Sequence, residues 1–173
     1  MTGQYVCSAE GTAVTDEHLN TTNDTVVEQS IPHYDFFGRV WMSKRYRRNS
    51  YTAVASLSSS NSRLTHVVAW WDGLGRTQYV ADYGTNGGTQ ITDSSYGTAN
   101  VDFDGDDANE TYAAAQSGML TGTSKLILTK YTYDVYSRPY LVTDNNDKDT
   151  ATFFDDAGRR THVVENYDPN TCT

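Results

Sequence analysis

The chain has 173 residues, 37% hydrophobic and 12% aromatic, with 13 Tyr, 5 Phe and 3 Trp. Its length suits one domain or a piece of one, and its 3 Pro and 13 Gly are too few for wholesale disorder. Thirteen basic against 22 acidic residues leave a formal charge of −9, which argues against nucleic acid and anionic membranes as partners; no apolar run approaches the roughly 18 residues of a membrane span.

Residues 1–24 are polar and rich in Thr and Gly, and an irregular lead-in is expected there. Met1 is followed by polar residues, so no signal peptide is expected. Thr25 to His33 can form a strand that runs into Tyr34-Asp35-Phe36-Phe37-Gly38-Arg39. This phrase has a mechanical reading. Asp is favoured at the first position of a type I turn, where its carboxylate accepts backbone N–H groups, and Gly at the fourth, where φ must be positive. A type I turn followed by a left-handed residue closes a three-residue hairpin with a bulge.

The return strand, Arg39 to Tyr46, places Val40, Met42 and Lys44 on one face and Trp41, Ser43 and Arg45 on the other. The basic run Lys44-Arg45-Tyr46-Arg47-Arg48 reads as the solvated face and end of that strand. Tyr51 to Leu57 is a further strand candidate and Ser58 to Ser62 a loop. Leu64 to Trp71 is the most hydrophobic strand. It enters a second copy of the phrase, Trp71-Asp72-Gly73-Leu74-Gly75-Arg76, from which Arg76 to Tyr83 returns.

Residues 84–125, rich in Gly, Thr, Ser and Asp, break the pattern and read as an insertion. A surface excursion with one short helix near Thr111 to Gln116 is expected. Leu126 to Tyr133 resumes the sheet. Tyr133-Asp134-Val135-Tyr136-Ser137-Arg138 and Phe154-Asp155-Asp156-Ala157-Gly158-Arg159 then follow at an offset of 21 residues, within a 126–167 segment closed by a 168–173 tail. Ser137 stands in the Gly position and should strain its turn by on the order of 1 kcal/mol. Between these copies lies another turn signal, Asp144-Asn145-Asn146-Asp147. Two strands of about six residues and two tight turns fill such a period, the signature of a hairpin repeat.

The four phrases resemble the YD repeat of the Rhs family, whose hallmark is Tyr-Asp-x-x-Gly-Arg at about this period. Thr143-Asp144-Asn145-Asn146-Asp147 stands where family members often show Thr-Asp-x-x-Gly, with Asp147 in place of Gly. The resemblance covers residues 26–83 and 126–167. It implies an all-β fold, a curved open strip of antiparallel hairpins that forms part of a larger shell. In bacterial members the shell encloses a C-terminal toxic domain; in teneurins it belongs to an adhesion receptor. On this resemblance Tyr34, Asp35, Gly38, Arg39, Trp71, Asp72, Gly75, Arg76, Tyr133, Asp134, Ser137, Arg138, Phe154, Asp155, Gly158 and Arg159 are structural, the rings and arginines packing in ladders between hairpins. The implied partners are the rest of a larger Rhs-type polypeptide or its enclosed domain, and the implied location is secreted or cell-surface. The stretch is too short to close a shell and carries no recognisable toxin domain or self-cleavage motif. A segment of a larger protein, with unpaired strands at its edges, is therefore expected.

Chemistry beyond the repeats is sparse. Asp102-Phe103-Asp104-Gly105-Asp106-Asp107-Ala108-Asn109-Glu110 resembles the Asp-x-Asp-Gly-Asp-Gly calcium loop of some β-propeller repeats, with Asp107 in place of the second Gly. Asp102, Asp104, Asp106 and Glu110 are the candidate Ca²⁺ ligands, against the plainer reading of a solvated acidic loop. His18, His33, His66 and His162 form no short-range metal pair. No phosphate loop, dinucleotide fingerprint or nucleophile elbow is present, so no enzymatic activity is expected. Tyr46, Tyr79, Tyr83 and Tyr140 are candidates for stacking on sugar rings, which makes a carbohydrate- or protein-binding module, with or without calcium, the alternative to a structural segment. Cys7 and Cys172 pair only if the two ends meet, which leaves the redox compartment open.

Overall fold

A computed structural model of the chain describes residues 2–6, 25–50, 57–58, 60–97, 101–103, 109–118 and 126–169. Among them are nine strands: β1 (Thr2–Val6), β2 (Thr25–Tyr34), β3 (Val40–Arg48), β4 (Ser62–Trp71), β5 (Thr77–Gly84), β6 (Ile127–Tyr133), β7 (Pro139–Thr143), β8 (Asp149–Phe154) and β9 (Arg160–Glu165). Strand order in the sheet follows chain order from β1 to β9. The expected all-β meander of antiparallel hairpins is what the chain forms. One α-helix, α1 (Tyr112–Gly118), lies among the described residues, where a short helix was expected. Residues 51–56, most of a further strand candidate, lie outside the described residues, as do Cys7, His18 and Cys172.

Two compact units divide the chain: Met1–Val67 with Gly84–Gln90, and Val68–Tyr83 with Ile91–Thr173. In the first unit β2 and β3 pair in a register that sets Ser30 against Arg45 and His33 against Met42. Trp41 and Met42 are both buried although they point to opposite faces. The basic run is split by the same alternation. Arg45 and Arg47 are exposed, as a solvated face requires, but Lys44 and Arg48 are buried. Arg48 tolerates burial because its Nε donates to the Val26 carbonyl at 2.7 Å.

In the second unit the described parts of residues 91–118 do not behave as the bare surface excursion expected of a polar insertion. They bury Ile91, Val101, Phe103, Tyr112 and Ala115. Tyr112 stacks on Trp70 at 5.2 Å and 8°, and on Tyr96 at 4.7 Å and 23°. Phe103 meets Trp70 edge-on at 6.0 Å. The polar atoms of these rings are used: Trp70 Nε1 donates to the Tyr112 carbonyl at 2.7 Å, and the Tyr112 hydroxyl to the Ala69 carbonyl at 2.6 Å. Aromatic pairs of this kind add about 0.5–1.5 kcal/mol each beyond the area they bury. A few large rings set among Gly, Ser and Thr thus anchor a segment of low average hydrophobicity.

Trp70→Ala should lower stability by roughly 3–5 kcal/mol, whereas Tyr112→Phe, which loses one hydroxyl bond, should cost about 1 kcal/mol. Urea unfolding checks both, and equal midpoints for the two variants count against this packing. A pH effect comes from His66. Its burial, then the charges of Lys44 and His33, hold its pKa down, from 6.5 to about 4. The folded state therefore binds fewer protons than the unfolded chain between these values. Its contribution is full above pH 6.5 and is lost as pH falls toward 4. The urea midpoint of the parent should decline over that window, and that of His66→Gln should be flatter there.

Candidate functional site

The four phrases fold into one and the same turn. In the first, Asp35 N–H donates to the Arg39 carbonyl at 2.9 Å, and Gly38 N–H to the Asp35 carbonyl at 3.0 Å. Asp35 Oδ1 accepts the N–H groups of Phe37 and Arg39, both at 2.9 Å, and Oδ2 accepts Arg39 Nε at 2.7 Å. Asp72 repeats this with Leu74 N–H and Arg76 N–H at 2.9 Å and Arg76 Nε at 2.7 Å. Asp134 does so with Tyr136 N–H and Arg138 N–H at 2.9 Å and Arg138 Nε at 2.7 Å. Asp155 takes Arg159 N–H and Nε, each at 2.8 Å. Three of these turns sit beside a register shift in the strand pairing, at His33/Tyr34, Thr132/Tyr133 and Phe153/Phe154, which is the bulge that such a turn requires.

The fourth position is left-handed: φ is +76° at Gly38 and +62° at Ser137. Ser137 has a compensation, because its Oγ accepts Arg76 Nη1 at 3.0 Å. A fifth turn of the same build joins β7 to β8. Asp144 Oδ1 accepts Asn146 N–H at 2.8 Å and Lys148 N–H at 2.9 Å, with Asp147 left-handed at φ +56°. The sequence signals this turn with Asp147 in the glycine position; it differs from the four phrases in carrying Lys148 where they carry arginine.

The carboxylates are held below their ordinary value. Burial pushes Asp35 and Asp72 upward, but the N–H and guanidinium donors of Arg39 and Arg76 outweigh it. At Asp155 the Arg159 backbone N–H is the leading cause, followed by its side chain.

In the second unit successive turns are linked. The guanidinium of Arg76 lies over the Tyr133 ring at 4.4 Å, and that of Arg138 over the Phe154 ring at 4.2 Å. Each arginine binds its own aspartate through its edge and covers the aromatic residue of the next phrase with its face. The Tyr133 hydroxyl completes the link by donating to the Thr77 carbonyl at 2.7 Å. A Cβ added at Gly158 would meet Arg138 Nη1 at 3.4 Å, so this turn also packs closely on the preceding arginine. The Arg76 and Arg138 side chains are 26% and 28% exposed; that of Arg159 is 80% exposed, with no ring over it among the described residues.

Other candidates are placed differently. Asp104 and Asp106 lie outside the described residues. Glu110 Oε1 accepts the N–H of Phe103, and Glu110 N–H donates to the Val101 carbonyl at 3.0 Å, so this acid closes the base of its loop. No cluster of three metal-binding side chains occurs among the described residues. Tyr79 is buried, and Tyr83 donates to the Phe103 carbonyl. Of the tyrosines considered for sugar stacking, Tyr140 is exposed and Tyr46 half-buried. His162 stacks on Phe153 at 4.6 Å and 15°. No helix among the described residues is long and apolar enough to cross a membrane. No protein-family model matches the chain, and a search of curated proteins finds no match.

Ser137→Gly relieves the left-handed strain but gives up the Oγ contact, and a net stabilisation of about 0.5 kcal/mol is expected, read as a rise in the thermal midpoint. Because the turn carboxylates are depressed on folding, their contribution is full above 3.8 and lost as pH falls through their lower folded values. Asp72→Asn should therefore weaken the fold at neutral pH and reduce the slope of the acid-unfolding limb below pH 4, as followed by circular dichroism.

Proposed function

We propose that this chain is a structural hairpin-repeat segment, a wall element rather than a catalyst. The observation that carries the reading is the linkage of one turn to the next: Arg76 over Tyr133 and Arg138 over Phe154, in turns of one geometry. Such a linkage gives the repeats that carry it the same interface with the next, the condition for a repeat array whose stability is a sum over units and interfaces. More particularly, we read the chain as a YD-repeat segment of an Rhs-type protein. The Tyr-Asp-x-x-Gly-Arg phrases support this family reading: the Asp and Arg of each phrase hold its turn, and the rings of Tyr133 and Phe154 are covered by the arginine of the preceding phrase. In this reading the wall belongs to a larger polypeptide and encases or displays another domain of it. The exposed apolar turn tips Leu74, Val135 and Tyr136 offer that polypeptide a surface to pack on.

The test is an in-frame duplication of residues 139–159, inserted after Arg159. The added repeat supplies an aromatic residue for the open face of Arg159. The enlarged chain should be β-rich, with a higher urea midpoint and a larger m-value than the parent. An unchanged m-value, or loss of the β spectrum, would show that the unit does not propagate and would overturn the repeat-wall reading.

A further inference from the structure

A second feature lies on the exposed face of β3 and β4 in the first unit. Asn49 N–H donates to the Asn61 carbonyl at 3.0 Å, and Thr65 Oγ1 reaches the Arg45 carbonyl at 3.5 Å. These contacts fix an antiparallel register in which Arg47 stands directly opposite Arg63. Partners opposite one another point to the same side of the sheet, and like charges so placed are destabilising. Arg45, Arg47, Arg63 and Thr65 line an open groove of about 180 Å³.

The neighbouring acid does not relieve this pair. Glu28 stands opposite Arg47 in the β2–β3 register, yet its carboxylate goes to Arg45, accepting Nε at 2.8 Å and lying 2.7 Å from Nη2. Lys44 and Arg48 occupy the opposite face. No ion pair of Arg47 or Arg63 occurs among the described residues, and residues 51–56, which follow β3, contain no Asp or Glu. Two arginines thus line one groove without an ion pair of their own among the described residues, in a chain of net charge −9.

We propose that Arg47 and Arg63 form an anion site for a single tetrahedral oxyanion group, a sulfate or a phosphate carried on a small molecule. The guanidinium fork matches such oxygens in pairs, and an exposed arginine keeps all of its donors for them. The surrounding charge selects the size of the ligand. A long polyanion would lay most of its length against an acidic protein, whereas a single group feels mainly the two arginines. Binding removes the like-charge repulsion, so occupancy also stabilises the β3–β4 pair.

The experiment is calorimetric titration of the full chain with inorganic sulfate and inorganic phosphate at constant ionic strength, followed by glucose 6-sulfate and glucose 6-phosphate. Saturable binding is expected, with the tighter ester identifying the source of the group. Arg47→Gln and Arg63→Gln should each weaken binding about tenfold, as expected for loss of a charge-assisted bond, and Arg160→Gln, an exposed arginine in β9, should leave it unchanged. Without anion, Arg47→Gln should melt no lower than the parent, and sulfate should no longer raise its midpoint. No saturable binding by 10 millimolar sulfate or phosphate, roughly the weak limit for such a pair, overturns the proposal, as does an equal loss in all three variants.

Discussion

One carboxylate at the head of each turn sets the rest of the structure. Asp35, Asp72 and Asp134 each take two backbone N–H groups on one oxygen and an arginine Nε on the other. A hairpin turn otherwise leaves those amides to water. Holding them on a side chain of the same turn fixes the length of the turn, and the length fixes the register of the two strands. Register decides which face each side chain reaches, because a slip of one residue would turn every side chain over. The burial of Trp41 and Met42, of Trp70 and of Ala151 therefore depends on turns that contain hardly any apolar burial of their own.

The arginine of the phrase converts this local device into a longer-range one. A guanidinium is planar, so its edge can serve Asp134 while its face covers Phe154. Lysine carries its charge as a point on a flexible stem and has no such face. Lys148 accordingly closes its turn through its backbone N–H, and the Asp144 turn has the same hydrogen-bonded skeleton without the stacking seen at Arg76 and Arg138. Turns ending in arginine can link neighbouring hairpins; a turn ending in lysine only reverses the chain.

The phrase was legible in the sequence because its parts are local. Asp at the first position and a left-handed residue at the fourth each have their own physical reason within the turn, and the hairpins follow from them. Even Ser137 could be identified as a strained substitute, although its contact with Arg76, 61 positions earlier, could not. The 84–125 segment was opaque for the opposite reason. Its anchors, Ile91, Phe103 and Tyr112, are scattered among small polar residues without period. Phe103 and Tyr112 pack on Trp70, at a distance in sequence that no local pattern encodes. The Asp–Arg pairing inside each turn was also missed. The phrase places the two residues four apart, but only the reversal of the chain between them brings the side chains together.

The basic run of β3 shows how strand alternation divides one patch of sequence into two environments. Lys44 and Arg48 point to the covered face, where Arg48 needs the Val26 carbonyl to remain there. Arg45 and Arg47 point to the open face, where one acid, Glu28, is available to two cations. Glu28 settles on Arg45, although Arg47 is its direct cross-strand neighbour. The diagonal choice leaves positive charge concentrated between Arg47 and Arg63, away from the only carboxylate on that part of the face among the described residues. A fold concerned only with its own stability gains nothing from opposing two arginines when an acid at either position would pair them. The oxyanion proposed for Arg47 and Arg63 would carry the negative charge that the described part of this face lacks.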